Sequence, residues 1–289
     1  MNFEKFPQAE GEPELEFDIE KEIGEGNWQK MKEDLEEYRK IIKIGNRGFV
    51  RAAAEMKIIF PGRVSELGLD SNTWEDLKKG LSTARKKSAG SGFSNEYLYN
   101  MKILFPEKST ELGLNEITWK TMKNDLDKAR IKREKLEKER KERVNWGSVL
   151  QGAKTLKILF PEHASELGLD EEAWEGMKTT IEFYKRHNKE RVLNANEQAV
   201  ERGRLRGLTY WLSEAKILFP EKADELMPDE DDWVGMKNEF GEYSKKLSTV
   251  PGSNGIDVGS LRTFASEMKI IAAKEVKVGK SGLELVEGS

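Results

Sequence analysis

Hydrophobic residues recur with a helical period in two kinds of segment that alternate along the chain. In the first kind, apolar side chains follow a Trp at positions +3, +7 and +10, which is the spacing of one face of an α-helix. In the second kind, they stand at positions −8, −4, −1 and +3 from a Lys. This pattern predicts five pairs of amphipathic helices, each a Trp-bearing helix followed by a Lys-bearing helix.

The segment that leads from a Lys-bearing helix into the next Trp-bearing helix is an internal repeat. Its copies occupy residues 57–78, 102–123, 157–178 and 216–237, and in each copy a Pro lies thirteen residues before the Trp. A repeat array buries its apolar faces between neighbouring units, so it is one elongated unit without a single central core. We therefore expect the four connectors to share one conformation and the repeated Trp residues to be buried.

The residue types within each copy predict a helix end, a turn and a second helix. Pro lacks an amide donor and restricts the residue before it, so the preceding Phe should end a helix. A Gly should close the turn in a left-handed conformation, and the Asp or Asn two residues later should cap the next helix. The fourth copy has Met227-Pro228-Asp229 instead, so its turn must differ. The predicted positions are Phe60, Phe105, Phe160 and Phe219, then Gly68, Gly113 and Gly168, then Asp70, Asn115 and Asp170.

The two ends of the chain carry a different pattern. Residues 1–26 contain nine acids against two lysines, which is typical of a disordered acidic arm, yet Leu15 to Ile19 alternates apolar and acidic residues as a strand does. Residues 275–278 and 283–286 alternate as well, and they predict a β-hairpin within the C-terminal tail, 274–289. A third strand from residues 15–19 would complete this ribbon, either within the chain or from a neighbouring copy.

Together these patterns predict an all-α fold. We expect a helical-repeat, α-solenoid-like array of five helix pairs over residues 27–273, with the hairpin appended. The units resemble armadillo- and HEAT-type solenoids in length, and no functional residue follows from that resemblance.

Composition excludes several classes of protein. The net charge of −4 and the pI near 5.7 weigh against a dedicated nucleic-acid binder, and the lack of Cys excludes disulfides and thiolate metal sites. No long apolar run or signal-peptide pattern is present. We therefore expect a soluble cytoplasmic protein with no membrane partner.

One segment, Lys128 to Arg143, is strongly basic, with nine bases against four acids. It is either a solvated helix with i,i+4 ion pairs or a contact for RNA, DNA or an acidic protein. The candidate partner-binding residues are Lys128, Arg130, Lys132, Arg133, Lys135, Lys138, Arg140, Lys141 and Arg143.

Signals for catalysis are weak. The two histidines, His163 and His187, lie on different segments without a second ligand at metal spacing, and we expect both at the surface. Gly279-Lys280-Ser281 resembles the end of a phosphate loop, but position 274 is Lys where that loop needs Gly. We therefore predict no catalytic residues, no cofactor, no metal and no enzyme activity.

Another group of repeated residues joins the units. Glu66, Glu111, Glu166 and Glu225 stand in the turns, where each could bind either a backbone amide or the Lys four residues after a Trp. Residues repeated in every unit indicate an interface copied between units, because a catalytic group is needed once.

The leading hypothesis is a non-enzymatic helical-repeat scaffold that binds a protein partner or associates with itself. The first alternative is a nucleic-acid-binding accessory protein that uses residues 128–143. The second is a structural subunit that polymerises through its terminal strands.

Overall fold

The computed structural model describes residues 17–42, 47–87, 93–140, 146–186, 197–249, 255–280 and 282–286. Within these ranges the chain forms ten α-helices and one β-hairpin, which confirms the predicted all-α repeat array. The odd-numbered helices carry the repeated Trp residues and the even-numbered helices carry the repeated Lys residues. The elements are α1 (Ile19–Arg39), α2 (Arg47–Ile59), α3 (Ser71–Lys87), α4 (Phe93–Leu104), α5 (Glu116–Arg140), α6 (Gly147–Leu159), α7 (Glu171–Arg186), α8 (Glu197–Leu218), α9 (Glu230–Thr249), α10 (Gly255–Ala272), β1 (Glu275–Gly279) and β2 (Gly282–Val286).

The array closes into a ring. The even-numbered helices, which we call the inner helices, each pack against the next one, and α10 packs against α2. Each odd-numbered, or outer, helix packs against the inner helix that follows it in the chain. The repeat is therefore a closed double layer of helices rather than an open solenoid, and its hydrophobic core lies between the two layers.

The connectors between inner and outer helices follow the predicted turn chemistry. In three of them a 3₁₀-helix begins at the Pro and ends at a Leu, over Pro61–Leu67, Pro106–Leu112 and Pro161–Leu167. The next residue is the expected left-handed Gly, with φ of 60°, 68° and 59° at Gly68, Gly113 and Gly168. The fourth connector has only the shorter 3₁₀-helix Ala223–Leu226 and ends in extended backbone at Met227, so the prediction that it differs is confirmed.

The predicted N-caps are also confirmed. The side-chain oxygen of Asp70 accepts a hydrogen bond from the amide of Thr73 at 2.7 Å, and that of Asp170 accepts one from the amide of Ala173 at 3.0 Å. Asn115 caps α5 in the same way. Each cap satisfies one of the amides that a helix start leaves unpaired, and such a cap contributes about 1 kcal/mol.

Aromatic pairs hold each outer helix to the connector that follows. Trp28 packs against Phe60 with ring centroids 4.6 Å apart, and the next three repeats place Trp74 on Phe105, Trp119 on Phe160 and Trp174 on Phe219 at 5.2–5.4 Å. These tryptophans are between 0 and 3% exposed. The prediction that the repeated Trp and Phe residues pack between units is therefore confirmed.

The N-terminal segment supplies the connector that the fifth repeat lacks. Phe17 packs edge-on against Trp233, and Gly24 adopts the left-handed conformation with φ 68° after the buried Ile23. Phe17 thus takes the place of the Phe found in the other connectors, and Gly24 takes the place of their Gly. Among the described residues, those from Phe17 to Gly24 therefore already pack as part of the array, ahead of residue 27, its predicted start.

This arrangement corrects the strand predicted over residues 15–19. Phe17 and Asp18 lie outside regular structure, Asp18 caps α1, and Ile19 is helical, so these three residues form no strand. Leu15 and Glu16 lie outside the described residues, as do residues 1–14 of the acidic arm. Phe17 packs against Trp233 in the ring. This tertiary contact, rather than the local alternation of apolar and acidic residues, sets the backbone conformation here.

Buried polar contacts join the first and last helices. The guanidinium of Arg262 on α10 donates to Asp34 of α1 and to Glu55 of α2, each at 2.8 Å. Asn27 of α1 donates to the hydroxyl of Ser244 on α9, also at 2.8 Å. These contacts span more than 200 residues of sequence, and they lock the ring where no peptide bond crosses it.

The C-terminal hairpin covers one end of the ring, as the contacts of its two strands indicate. β1 and β2 are antiparallel, with Val278 opposite Leu283, and the predicted hairpin is confirmed. β1 contacts α6 and α8, and β2 contacts α4 and α6. Gly282 lies close to the backbone of Lys102 near the C-terminal end of α4. The hairpin therefore lies over the C-terminal ends of the inner helices.

A repeated lysine binds four of the five inner helices to the end of the next, whereas Lys269 on α10 donates to Glu20. Lys102 donates to the carbonyl of Leu159 at 2.9 Å, Lys157 to that of Leu218 at 2.8 Å, and Lys216 to that of Ala273 at 3.1 Å. Lys57 does the same at the end of α4. The last carbonyls of a helix have no partner within it, so these ammonium groups satisfy them and oppose the helix dipole.

Candidate ligand-binding cavity

A cavity of about 620 Å³ lies in the middle of the ring. All five inner helices line it, α5 contributes part of one wall, and Leu283 of the hairpin lines it at one end. Ser148 and Gln151 line it near the start of α6 and are exposed, so the cavity is open to solvent on that side. Its volume is in the range of sites that hold small molecules.

The floor of the cavity is the same in every repeat. The residue after the repeated lysine is Ile in all five inner helices, and each of these side chains lines the cavity next to the hairpin. The floor is thus an apolar ring closed by Leu283. Its members are Ile58, Ile103, Ile158, Ile217 and Ile270.

Above this floor the five repeats present different residues at equivalent positions. The lining side chains stand two, three and six residues before the repeated lysine, so together with the floor they span two helical turns, about 10 Å. Most are polar or charged. They are Glu55, Asn100, Thr155, Glu214 and Glu267 at the first position, Ala54, Tyr99, Lys154, Ser213 and Ser266 at the second, and Arg51, Glu96, Gln151, Tyr210 and Thr263 at the third.

A buried ion pair crosses the cavity wall. The ammonium of Lys154 on α6 donates to Oε1 of Glu214 on α8, and both side chains are almost fully buried. The ammonium also lies 5.5 Å and 5.8 Å from the ring centroids of Tyr99 and Tyr210. Burial by itself lowers the pKa of Lys154, but the charge of Glu214 outweighs it and raises that pKa above its usual value. Lys154 is therefore protonated.

Glu55 is held by three donors. Its Oε1 accepts from Arg51 at 2.9 Å and from Thr263 at 2.8 Å, and its Oε2 accepts from Arg262. Arg51 in turn is the one guanidinium among the described residues that line the cavity. Both cations of the cavity wall, Arg51 and Lys154, are thus already paired with carboxylates.

Two carboxyl groups of the cavity wall can accept further hydrogen bonds. Oε2 of Glu214 is buried and has no hydrogen-bond partner among the described residues. Glu267 on α10 has no hydrogen bond or ion pair within the described part of the chain and keeps partial access to the cavity. Burial, followed by the negative charges of Glu55 and Glu214, raises the pKa of Glu267 to about 8. Glu267 is therefore largely protonated at neutral pH, where it can donate as well as accept.

The predicted basic segment does not form one exposed surface. Arg130 donates to the carbonyls of Leu167 and Gly168, and Arg133 is buried against the Trp146 ring and donates to Glu172 at 2.7 Å. Both arginines thus hold α5 to the following repeat. Lys128, Lys132 and Lys135 are exposed, and Lys128 pairs with Asp125. Nothing is described of the side chains of Lys138 and Arg140, and Lys141 and Arg143 lie outside the described residues. Binding of a partner by this segment stays a prediction.

The repeated turn glutamates bind side chains of the outer helices. Glu66 accepts from the indole of Trp28 and the ammonium of Lys32, both at 3.1 Å, and Glu111 accepts from Trp74 and Lys78, both at 3.0 Å. The lysine was one of the two predicted partners, and the indole was missed. The third repeat differs, because His163 stacks on Trp119 with centroids 4.5 Å apart and bonds to Glu166. His163 is partly exposed, and His187 lies outside the described residues.

Sequence reasoning missed the cavity residues altogether. The signal that could have found them is the contrast, at equivalent repeat positions, between a constant Ile and a varied polar set. A residue needed only for packing between units should recur, whereas a residue needed once for a ligand should not.

The chain matches no protein-family model, no curated protein and no solved structure. Within the described ranges, no helix combines the length and the apolar character that crossing a bilayer requires.

Proposed function

We propose that this protein binds a small polar molecule in the central cavity of the ring. The observation that carries the proposal is the varied polar set above the constant Ile floor. The repeats keep the same residues where they contact each other and at the Ile floor, whereas no position above the floor has the same residue in all five repeats. That distribution is expected when one asymmetric ligand is recognised by a fivefold repeated frame.

The energetic state of the wall supports the same proposal. A buried carboxylate oxygen without a donor costs about 1–3 kcal/mol, and the unpartnered Oε2 of Glu214 adds that cost to the ligand-free protein. A ligand donor that reaches this oxygen removes the cost. Sites for small molecules commonly combine apolar surface with a few convergent polar groups, as the Ile floor and the groups above it do.

The test is a ligand screen with a variant that fills the cavity. Thr155→Trp places a large ring among the lining residues, whereas Asn124→Trp adds the same ring on the exposed face of the outer helix α5. We expect ligands that raise the melting temperature of the wild type and of Asn124→Trp and leave Thr155→Trp unchanged. Hits that stabilise all three proteins equally would place the binding site elsewhere.

Binding of a protein partner on the outer surface is the second candidate, and it continues the scaffold hypothesis. The observation that favours it is the exposure of Ile117 and Ile131, which are 76% and 64% exposed on α5, the helix that carries the basic segment. Scattering at rising concentration tests self-association, and a pull-down with Ile117→Lys/Ile131→Lys as the control tests other partners. The absence of enzyme activity also stays a prediction. The polymerisation hypothesis was motivated by a strand over residues 15–19, and residues 17–19 form no strand.

A further inference from the structure

The charged groups of the cavity wall differ in how many hydrogen-bond and ion-pair partners they have. Five carboxyl groups line the cavity from five helices, namely Glu55, Glu96, Asp125, Glu214 and Glu267, against the two cations Arg51 and Lys154. Glu55 has three donors, Glu96 accepts from Arg47, and Asp125 accepts from Lys128. Glu214 keeps a buried oxygen without a donor and Glu267 has no hydrogen bond among the described residues, and both cations of the wall are already paired with carboxylates.

We propose that the cavity takes a small organic cation, an alkyl ammonium or amidinium, whose charged nitrogen is held by the carboxyl groups of Glu267 and Glu214. This inference rests on the proposed function and specifies the chemical class of its ligand. A cationic N–H group donates to carboxylates in short, strong hydrogen bonds, so it satisfies both acceptors at once.

The remaining walls suit the rest of such a molecule. The Ile ring and Leu283 form an apolar surface on which a short methylene chain can lie. Tyr99 and Tyr210 lie beside the ammonium of Lys154, and the faces of such rings are suited to contact with cationic nitrogen. An anion would meet the unpartnered oxygen of Glu214 and the carboxyl group of Glu267, and no uncommitted cation among the described lining residues, so the same wall disfavours anions.

Cation binding should be coupled to proton release. The groups that face Glu267 are Glu55 on α2, Glu214 and Arg206 on α8, and Lys154 on α6, and the pKa of Glu267 in their presence is about 8. A cation placed against Glu267 favours its ionised form and lowers this pKa. By linkage, the affinity for the cation should rise as the pH increases from 6 to 9, and near pH 8 about half a proton should be released per ligand bound.

Three ligands with the same four-carbon chain separate the chemical classes, namely putrescine, 1,4-butanediol and succinate, and spermidine tests a longer chain. We expect calorimetry on the full chain at pH 8 to detect putrescine or spermidine and neither of the other two. Titrations in two buffers of different ionisation enthalpy should give the proton release. Glu267→Gln should weaken binding about tenfold and abolish proton release, since it keeps the shape and removes the charge. Glu242→Gln, an exposed acid on α9, should change neither quantity.

Other outcomes overturn the inference in distinguishable ways. Binding of succinate, butanediol or a divalent metal ion in place of the amines, if lost in Thr155→Trp, would leave a cavity site of different chemistry and end the cation assignment. Amine binding that Thr155→Trp and Glu267→Gln both leave unchanged would show an outer site and contradict the proposed function as well. Failure of putrescine and spermidine to bind between pH 6 and 9 would also end the cation assignment. Glu214→Gln is a second test. Weaker amine binding by a variant that still melts cooperatively would show that recognition is lost while the fold is kept.

Discussion

Phe17 and Trp233 are 216 positions apart in the chain and pack edge to face, with ring centroids 6.3 Å apart and an interplanar angle of 80°. A comparable Trp–Phe contact occurs four more times, between residues 31–45 positions apart. Phe17 also contacts Phe240 at 5.7 Å. The relationship makes the N-terminal segment the missing fifth connector, and it is one of the contacts that close the ring.

We expect Phe17→Ala to destabilise the protein by about 2 kcal/mol, since it removes a partly exposed aromatic ring from a packed site. Urea unfolding monitored by Trp fluorescence measures the loss. Phe183→Ala is a suitable control, because Phe183 is 48% exposed, and we expect it to cost less than about 1 kcal/mol. Equal losses in the two variants would contradict a special role of Phe17 in closing the ring.

A second prediction concerns the buried clamp between α10, α1 and α2. Arg262→Leu leaves Asp34 and Glu55 without this donor, and removal of one partner from a buried charge pair costs about 3–5 kcal/mol. We expect the triple variant Arg262→Leu/Asp34→Asn/Glu55→Gln to recover part of that loss, because it leaves no buried charge without a partner; Arg51, which loses Glu55, has a side chain that is 46% exposed. Thermal unfolding of the two variants makes the comparison. A triple variant less stable than the single variant would contradict the explanation.

Two glycines with the same backbone conformation offer a matched pair of substitutions. Gly113→Ala introduces only the left-handed strain, about 1–2 kcal/mol, because no atom lies within 4 Å of the added methyl group. At Gly168 the methyl group would overlap the guanidinium of Arg130, which has to give up its bonds to Leu167 and Gly168. We therefore expect Gly168→Ala to cost about 1 kcal/mol more in urea unfolding than Gly113→Ala. Equal losses in the free energy of unfolding of the two variants would mean that the hydrogen bonds of Arg130 to Leu167 and Gly168 do not contribute to stability.

The raised pKa of Glu267 predicts a specific pH dependence of stability. The unfolded chain releases this proton near the ordinary glutamate pKa of 4.5, and the folded chain retains it to about pH 8. The folded state thus binds more protons between these values, so the stabilisation that protonated Glu267 provides is complete below pH 4.5 and is lost as the pH rises to 8. Glu267→Gln cannot ionise, so we expect it to be more stable than the wild type by about 2 kcal/mol at pH 9 and nearly equal to it at pH 4. Chemical unfolding at both pH values gives the difference, and a gain independent of pH would contradict the shift.

Much of the local structure could be predicted because the interactions that set it are close in sequence. The Phe-Pro pair ends a helix through the missing amide of the Pro, and the left-handed Gly68, Gly113 and Gly168 end the turn because a side chain there would be strained. The predicted partner-binding residues show the opposite case. Arg130 and Arg133 look like part of one solvated basic helix in the sequence, and only the position of the next repeat reveals them as joints.

The cavity could not be predicted for a related reason. Glu214 and Glu267 occupy helical positions that alternate with apolar residues, as solvent-facing side chains do, and periodicity does not distinguish solvent from an internal cavity. They line a cavity only because the five inner helices pack around it.

The sequence by itself determined the helix pairs, their caps and turns, and the burial of the repeated Trp and Phe residues, because each follows from contacts within one unit or with its nearest neighbour. Tertiary structure alone decided that the array closes. Closure of five units requires a mean rotation of about 72° between neighbours, and small changes in side-chain packing at every joint add up to that angle. This accumulated rotation places Phe17 against Trp233 and arranges the acidic groups of four inner helices around one cavity.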